Sequence, residues 1–264
     1  MSKTTKILLV GCGKMGSAML KGWLEAGYKK EHIRVVDEAA SRLPVKSYDK
    51  PSAIERTFKP DVVVFAIKPQ VAAEVLPLYA GYKGALFLSI MAGKTIATMK
   101  RKLGNNAAVV RAMPNLPAMV GEGISVATGK VSTAQRATAL ALLRSVGQAE
   151  WVAKEELMDA VTAVSGSGPA YVFHWVEAMH KAATDMGLPT NVAEALVKQT
   201  LKGSVALMAD SNIKEIQQLR KDVTSKGGTT EAALEVLMNT KSGLLQLLSR
   251  AIRAAKKRSK SLSS

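Results

Sequence analysis

The chain has 264 residues, 47% of them apolar, and 37 Lys and Arg against 21 Asp and Glu give a formal charge of +16. That length can bury the core of one large or two modest domains, and a single cysteine, Cys12, excludes a disulfide framework or a cysteine-based metal cluster and favours a reducing compartment. Residues 1–5 lead straight into a strand-like run without the apolar segment of a secretory signal, and no apolar run is long enough to span a membrane, so a cytoplasmic protein with no membrane partner is expected.

The charge raises nucleic acid as a partner. Lys and Arg are spread along the chain, however, and five Tyr and four Phe are few for stacking on bases. The one dense basic cluster, residues 250–260, continues a helical apolar pattern through Leu244, Leu247, Leu248, Ala251 and Ile252 and reads as a solvated helix end. A basic surface also attracts anionic small ligands, and these are the expected partners.

Residues 6–10 read as a strand, apolar without interruption from Ile7 to Val10, the pattern of burial on both faces. Gly11-Cys12-Gly13-Lys14-Met15-Gly16 follows at once, then helical apolar spacing through Ala18, Leu20 and Leu24. Strand, G-x-G-x-x-G and helix in this order are the context of a dinucleotide-binding turn. Gly11 permits the tight turn, Gly13 lets the backbone approach a pyrophosphate, and Gly16 lets helix and strand pack closely. The helix N-terminus offers N–H groups and the positive end of its dipole to phosphate.

A second strand over 33–36 ends in Asp37, placed to accept hydrogen bonds from an adenosine ribose and to repel a 2′-phosphate. NADH is favoured on that ground. Arg42 and Lys46 nearby could serve a phosphate, and Asp37 could instead cap a helix over 38–42, so NADPH stays open. A strand over 61–67 leads into Lys68-Pro69-Gln70 and a helix from about Val71. A fourth strand, 85–90, ends in Met91-Ala92-Gly93, with a helix over 95–103. Carboxyl ends of strands in an open α/β sheet face the ligand crevice, which places Ala66, Ile67, Lys68, Pro69 and Ala92 among the cofactor contacts. A fifth strand, 107–112, runs into Met113-Pro114-Asn115-Leu116-Pro117, a stiff loop at the same edge. Asn115 can meet an amide such as nicotinamide, or close an Asx turn of its own. Strands over 123–127 and 149–152 flank a helix over 134–146 capped by Ser132.

From Lys154 the strand signal disappears. An amphipathic stretch, 155–164, runs into Ser165-Gly166-Ser167-Gly168-Pro169-Ala170-Tyr171, which can stop one helix and start another. The helix beyond it, 170–186, is apolar around most of its circumference and belongs in a core or an interface. Helices over 192–209, 213–221 and 231–238 and a last one from Ser242 complete the chain. The boundary expected from this change puts a dinucleotide-binding domain at 1–153 and an all-helical domain at 154–264. Before the 231–238 helix, Gly227-Gly228-Thr229-Thr230 offers backbone N–H groups, two hydroxyls and a helix N-terminus, a second anion-binding design whose natural ligand is a substrate carboxylate; a plain helix cap by Thr229 or Thr230 is the alternative. His32, His174 and His180 are not spaced for a metal, and no metal site is expected. Without a strong proton donor, a cyclic imine suits a nicotinamide enzyme better than a carbonyl, because it can arrive as an electrophilic iminium and need mainly positioning.

The chain resembles pyrroline-5-carboxylate reductase, the last enzyme of proline synthesis, over essentially its whole length. The likeness rests on residues 11–16, on Ala66-Ile67-Lys68-Pro69-Gln70, on Met113-Pro114-Asn115 with Pro117, Gly121 and Gly123, on Asp159-Ala160-Val161-Thr162 running into 165–171, on Gln199-Thr200 with Gly203, and on residues 219–230. The resemblance implies a Rossmann-like α/β domain followed by an all-α dimerisation domain in a homodimer or higher homo-oligomer. It implies a site where substrate and nicotinamide meet between the first domain of one subunit and the helical domain of its partner. On the same ground Val223, Gly227, Gly228, Thr229 and Thr230 are substrate contacts, with Thr230 the catalytic residue near the ring nitrogen. Two alternatives remain: a related NAD(P)-dependent imine or 3-hydroxy-acid oxidoreductase, and a non-catalytic dinucleotide-binding regulator. The 3-hydroxy-acid enzymes carry their catalytic lysine in the helix after the glycine-rich hinge. Here the first lysine of that helix, Lys181, comes about three turns in.

Overall fold

The computed structural model of the chain describes residues 3–38 and 43–263. Arg42 and most of the expected 38–42 helix lie outside the described residues. Two compact units form, one from residues up to Pro169 together with those from Ala255 onward, the other from Ala170–Ala254.

Eight strands make one sheet: β1 Ile7–Val10, β2 Ile33–Val36, β3 Lys46–Tyr48, β4 Val62–Phe65, β5 Leu86–Ser89, β6 Ala108–Met113, β7 Gly123–Thr128 and β8 Gly147–Trp151. Their order is β3-β2-β1-β4-β5-β6-β7-β8, and every pairing is parallel except β6 with β7. The alternating faces of the strands explain the unbroken apolar runs. Ile7, Leu9, Val62, Val64 and Leu88 face a layer with Met19, Trp23, Leu142 and Leu143, while Leu8, Val10, Val63, Phe65 and Phe87 face Leu76, Tyr79, Met99 and Leu103. Both faces are therefore dry, as parallel sheets require.

The first layer is carried by α1 Lys14–Glu25 and α4 Thr133–Arg144, tied by a buried hydrogen bond from Trp23 Nε1 to the Leu142 carbonyl at 3.0 Å. On the other face lie α2 Ala72–Val75 and α3 Ile96–Leu103. Ser132 caps α4 with its hydroxyl on the Gln135 N–H, and the Gln135 side chain accepts from the Ser132 N–H in return. The helix expected from Val71 is shorter than its pattern. A 3₁₀ turn Pro69–Val71 precedes α2, and a second, Leu76–Tyr79, follows it with Pro77 in its first turn. The edge strand β3 carries no apolar run, which is why the sequence does not announce it.

The compact units divide the chain between Pro169 and Ala170. In the 3₁₀ turn Glu155–Leu157, Glu155 bonds to Arg111 of β6; α5 Met158–Val161 follows, and Met158 and Ala163 are fully buried. The chain end returns to the same unit, where the Ser259 hydroxyl donates to the Asp159 carboxylate at 2.7 Å. Between α5 and α6 Gly168–Asp185 the backbone makes a π-helical turn, Thr162–Gly166, closed by the Ser167 N–H on the Thr162 carbonyl at 2.8 Å. Pro169 then falls in the first turn of α6, where its missing N–H costs nothing.

The second unit is built from the rest of α6, α7 Thr190–Met208, α8 Ile213–Asp222, α9 Thr229–Leu237 and the start of α10 Leu244–Ser263. Asn212 and Glu215 form a reciprocal cap on α8. Among its described residues the buried apolar side chains are Ala183, Ala193 and Val197, whereas Phe173, Trp175, Leu196, Leu207 and Leu245 are exposed. So few buried groups leave large apolar surfaces without a partner inside the unit, the condition of an interface rather than of a finished core.

Candidate active site

The glycine-rich turn after β1 is shaped by its own packing at two of its three glycines. Gly11 has φ +87°, and a Cβ there would lie 2.7 Å from the Ala66 carbonyl oxygen and 2.8 Å from the Ile67 side chain. A Cβ on Gly16 would fall on the Gly11 carbonyl oxygen. Gly13 is different: a Cβ there would meet nothing within 4 Å. Packing demands Gly11 and Gly16, while Gly13 leaves bare backbone facing open space, the cradle a phosphate group can approach. Gly13 is also the residue before α1, which has no side-chain cap and no acidic residue in its first turn. Its leading N–H groups and dipole are thus presented outward.

Asp37, directly after β2, reaches this turn. One of its carboxylate oxygens accepts the Cys12 N–H at 2.6 Å. The strand end and the loop are thereby fixed to each other, with a negative charge beside the glycines. The Cys12 thiol feels both its partial burial and this carboxylate, and its pKa is pushed up to about 11, burial being the larger cause. It stays a protonated thiol at neutral pH and is no nucleophile.

At the carboxyl edge of the sheet a cavity of about 230 Å³ is lined by Met15, Ala66, Ile67, Pro69, Ala92 and Met113, with Ile90, Met91 and Pro114. It gathers the ends of β4, β5 and β6 with the first turn of α1, and it has the size of a planar ring rather than of a whole dinucleotide. The sequence pointed to Met15, Ala66, Ile67, Pro69 and Ala92; it did not assign Met91 or Met113 to the cofactor contacts, although Met91 adjoins Ala92 and Met113 opens the Met113-Pro114-Asn115 motif. Lys68 is exposed and lies outside this lining, and Lys14 is exposed at the head of α1. Asn115 is half-buried, and its side-chain carbonyl accepts the Ile124 N–H at 2.9 Å. It therefore fastens the loop to β7, leaving its amide NH₂ for other contacts. The hinge glycine Gly166 stands against the end of Met113, 2.6 Å from where a Cβ would be, so the π-helical turn borders the cavity wall.

The Gly-Gly-Thr-Thr turn belongs to the other unit. Gly227 has φ +72°, and its N–H donates to the Glu231 carboxylate at 2.6 Å. A Cβ on Gly228 would strike the Ser225 hydroxyl. Gly228, not a threonine, occupies the cap position of α9, and Thr229 and Thr230 are its first helical residues. α9 has no side-chain cap, so the Thr229 and Thr230 hydroxyls and the first-turn N–H groups lie at its start together with one acidic first-turn residue, Glu231. Val223 is 69% exposed beside it. Among the described residues no group of His, Cys, Asp or Glu is gathered as metal ligands, and no helix is long and apolar enough to cross a membrane.

A parallel sheet with a glycine-rich first turn, an acid at the end of β2 and a ring-sized cavity at its carboxyl edge define a nicotinamide-dinucleotide oxidoreductase of the Rossmann type. Residues 6–93 match the family model described as NADP oxidoreductase, coenzyme F420-dependent, and residues 155–262 match the one described as pyrroline-5-carboxylate reductase dimerisation. Pyrroline-5-carboxylate reductase 2 of Bacillus subtilis is 40% identical over 89% of this chain and 88% of its own length. Two solved structures are similar throughout: the reductase of Coxiella burnetii (33% identity, TM-score 0.89, 99% of both chains) and that of Plasmodium falciparum with NADP bound (30% identity, TM-score 0.87, 100% of both chains). The chain belongs to the pyrroline-5-carboxylate reductase family. Its helical part is the family's dimerisation domain, in keeping with the apolar side chains exposed on α6 and α7.

Proposed function

We propose that this protein reduces the cyclic imine 1-pyrroline-5-carboxylate to L-proline, the last step of proline biosynthesis. The observation that carries the reading is the joint presence of an uncapped α1 N-terminus behind Gly13 and a ring-sized cavity beginning at the first turn of α1, in a chain that is 40% identical to a reductase of this name over 89% of its length.

When bound, reduced nicotinamide supplies a hydride to the imine carbon, while the ring nitrogen ends as an amine with one proton taken up. The protein's residues orient and exclude water. Bare backbone at Gly13 and the N–H groups of α1 hold the pyrophosphate, and Asp37 takes the adenosine ribose. Ala66, Ile67, Pro69, Ala92 and Met113 form the apolar wall that sets the ring face, with the Asn115 amide at its rim. The substrate carboxylate binds at Gly227, Gly228 and Thr229, beside Val223, and the Thr230 hydroxyl hydrogen-bonds the ring nitrogen. This second set is contributed by a partner copy of the chain, the arrangement the resemblance implies. Two anchored reactants give the effective concentration that an already electrophilic iminium needs, without a strong acid.

NADH is the preferred cofactor on this reading, because Asp37 is held by the Cys12 N–H where a 2′-phosphate would bring a second negative charge. A cytoplasmic location suits the single free thiol of Cys12 in the cofactor loop. The test is direct. Purified protein is mixed with the cyclic imine and NADH or NADPH, and loss of the reduced-nicotinamide absorbance is followed with proline as the product. No oxidation with either cofactor overturns the reading.

A further inference from the structure

Arg111 lies on β6, two residues before the cavity-lining Met113, and its side chain is only 6% exposed. Its register neighbours Ser89 and Thr128 are buried as well. Its partner is Glu155, in the 3₁₀ turn that follows β8. One carboxylate oxygen, Glu155 Oε1, accepts from Arg111 Nη1 at 3.1 Å and from the Ile96 N–H at 2.9 Å. Ile96 is the first residue of α3, and the turn before it, residues 91–95, begins with Met91 and Ala92 of the cavity wall. A single oxygen atom therefore joins the strand that ends in Met113 to the helix start that follows Ala92.

Burying an ion pair contributes little net stability over apolar side chains of the same size. Its worth lies in geometry, because a charge-assisted hydrogen bond holds direction and distance better than apolar contact does. The Glu155 carboxylate also complements the positive end of α3. We propose that Arg111 and Glu155 are positioning residues that fix the spacing between the 91–92 wall and the 113–114 wall of the cavity, and hence the seat of the nicotinamide ring. The proposal rests on the reading that this cavity takes that ring.

The test compares Arg111→Met/Glu155→Leu, which replaces the pair by apolar groups, with Glu155→Gln, which keeps an acceptor for both donors. Far-UV circular dichroism, Tm, the Kd of reduced dinucleotide from its fluorescence, and kcat and KM are measured. The expected result is a folded double variant with Tm near that of the parent, a Kd raised about tenfold and a lowered kcat, while Glu155→Gln stays within about threefold of the parent. A double variant with parental Tm, Kd and kcat overturns the proposal. If the double variant does not fold, Arg111→Lys is read in its place: raised Kd with unchanged circular dichroism supports the proposal, and unchanged Kd overturns it. Because Kd is read without turnover, a parent protein that binds dinucleotide but reduces no imine overturns the proposed reaction alone.

Discussion

Two glycine-rich turns open helices in this chain, and they are built on opposite principles. The turn before α1 is fixed from within: Gly11 is pressed against the Ala66 carbonyl, Gly16 against the Gly11 carbonyl, and Asp37 holds the Cys12 N–H. The turn before α9 is packed at Gly228, against Ser225, and open elsewhere. Gly227 meets nothing where a Cβ would stand, Val223 is exposed, and the one carboxylate in reach, Glu231, ties only the Gly227 N–H. The first turn is closed by contacts within its own unit, and the second stands open at Gly227. This contrast fits a family whose helical part is a dimerisation domain, since a second copy can supply the missing surface.

Breaking the first turn should have the largest effect. Gly16→Val drives side-chain atoms into the Gly11 carbonyl, an overpacking that costs about 1–3 kcal/mol in stability, and dinucleotide binding is expected to fall by about 100-fold or more; fluorescence titration with thermal unfolding checks both. Unaltered binding would remove the packing argument for the α1 turn. At the second turn, Thr230→Ala is expected to lower kcat by about 10–100-fold, less than the roughly 100–1,000-fold that loss of an oxyanion donor costs because an iminium develops no oxyanion, with dinucleotide Kd nearly intact. Turnover equal to the parent would take Thr230 out of the site.

Asp37→Ser sharpens the cofactor side of the contrast. Removing the carboxylate should raise the ratio of kcat/KM for NADPH over NADH by about tenfold, the equivalent of roughly 1.4 kcal/mol. The parent itself must favour NADH; a strong NADPH preference in the unmodified protein would show the Asp37 argument wrong. The smallest effect is expected at Gly13→Ala. Its new methyl group meets no protein atom, so Tm should hold while dinucleotide Kd rises several-fold, about 1 kcal/mol. A fall in Tm with unchanged Kd would mean that Gly13 serves the fold and not the ligand.

Much of the first unit was legible because its signals are local. Unbroken apolar runs marked β1 and β4, mostly apolar runs marked β2, β5 and β6, and turn chemistry marked the ends of α1, α4 and α6. The edge strand β3 was not legible, since Lys46-Ser47-Tyr48 pairs with 34–36 by backbone alone. The expected boundary at 153/154 followed the loss of strand signal, and the dimerisation family match starts at residue 155; what the sequence does not show is that Glu155 reaches back to Arg111 and Ile96. The proline loop was read as stiff, but only the fold shows Asn115 using its carbonyl on Ile124.

The sequence by itself determined the doubly buried sheet, the glycine turn after β1, the acid after β2 and the anion-binding composition of 227–230, because strand periodicity, glycine's allowed φ values and helix capping are properties of neighbouring residues. Tertiary structure alone decided which glycines are packed and which is open, that Met91 and Met113 share one cavity, and that Glu155 joins Arg111 to Ile96. Those relations depend on distances between segments many residues apart. Only a folded sheet, with its fixed strand order and register, brings such segments together.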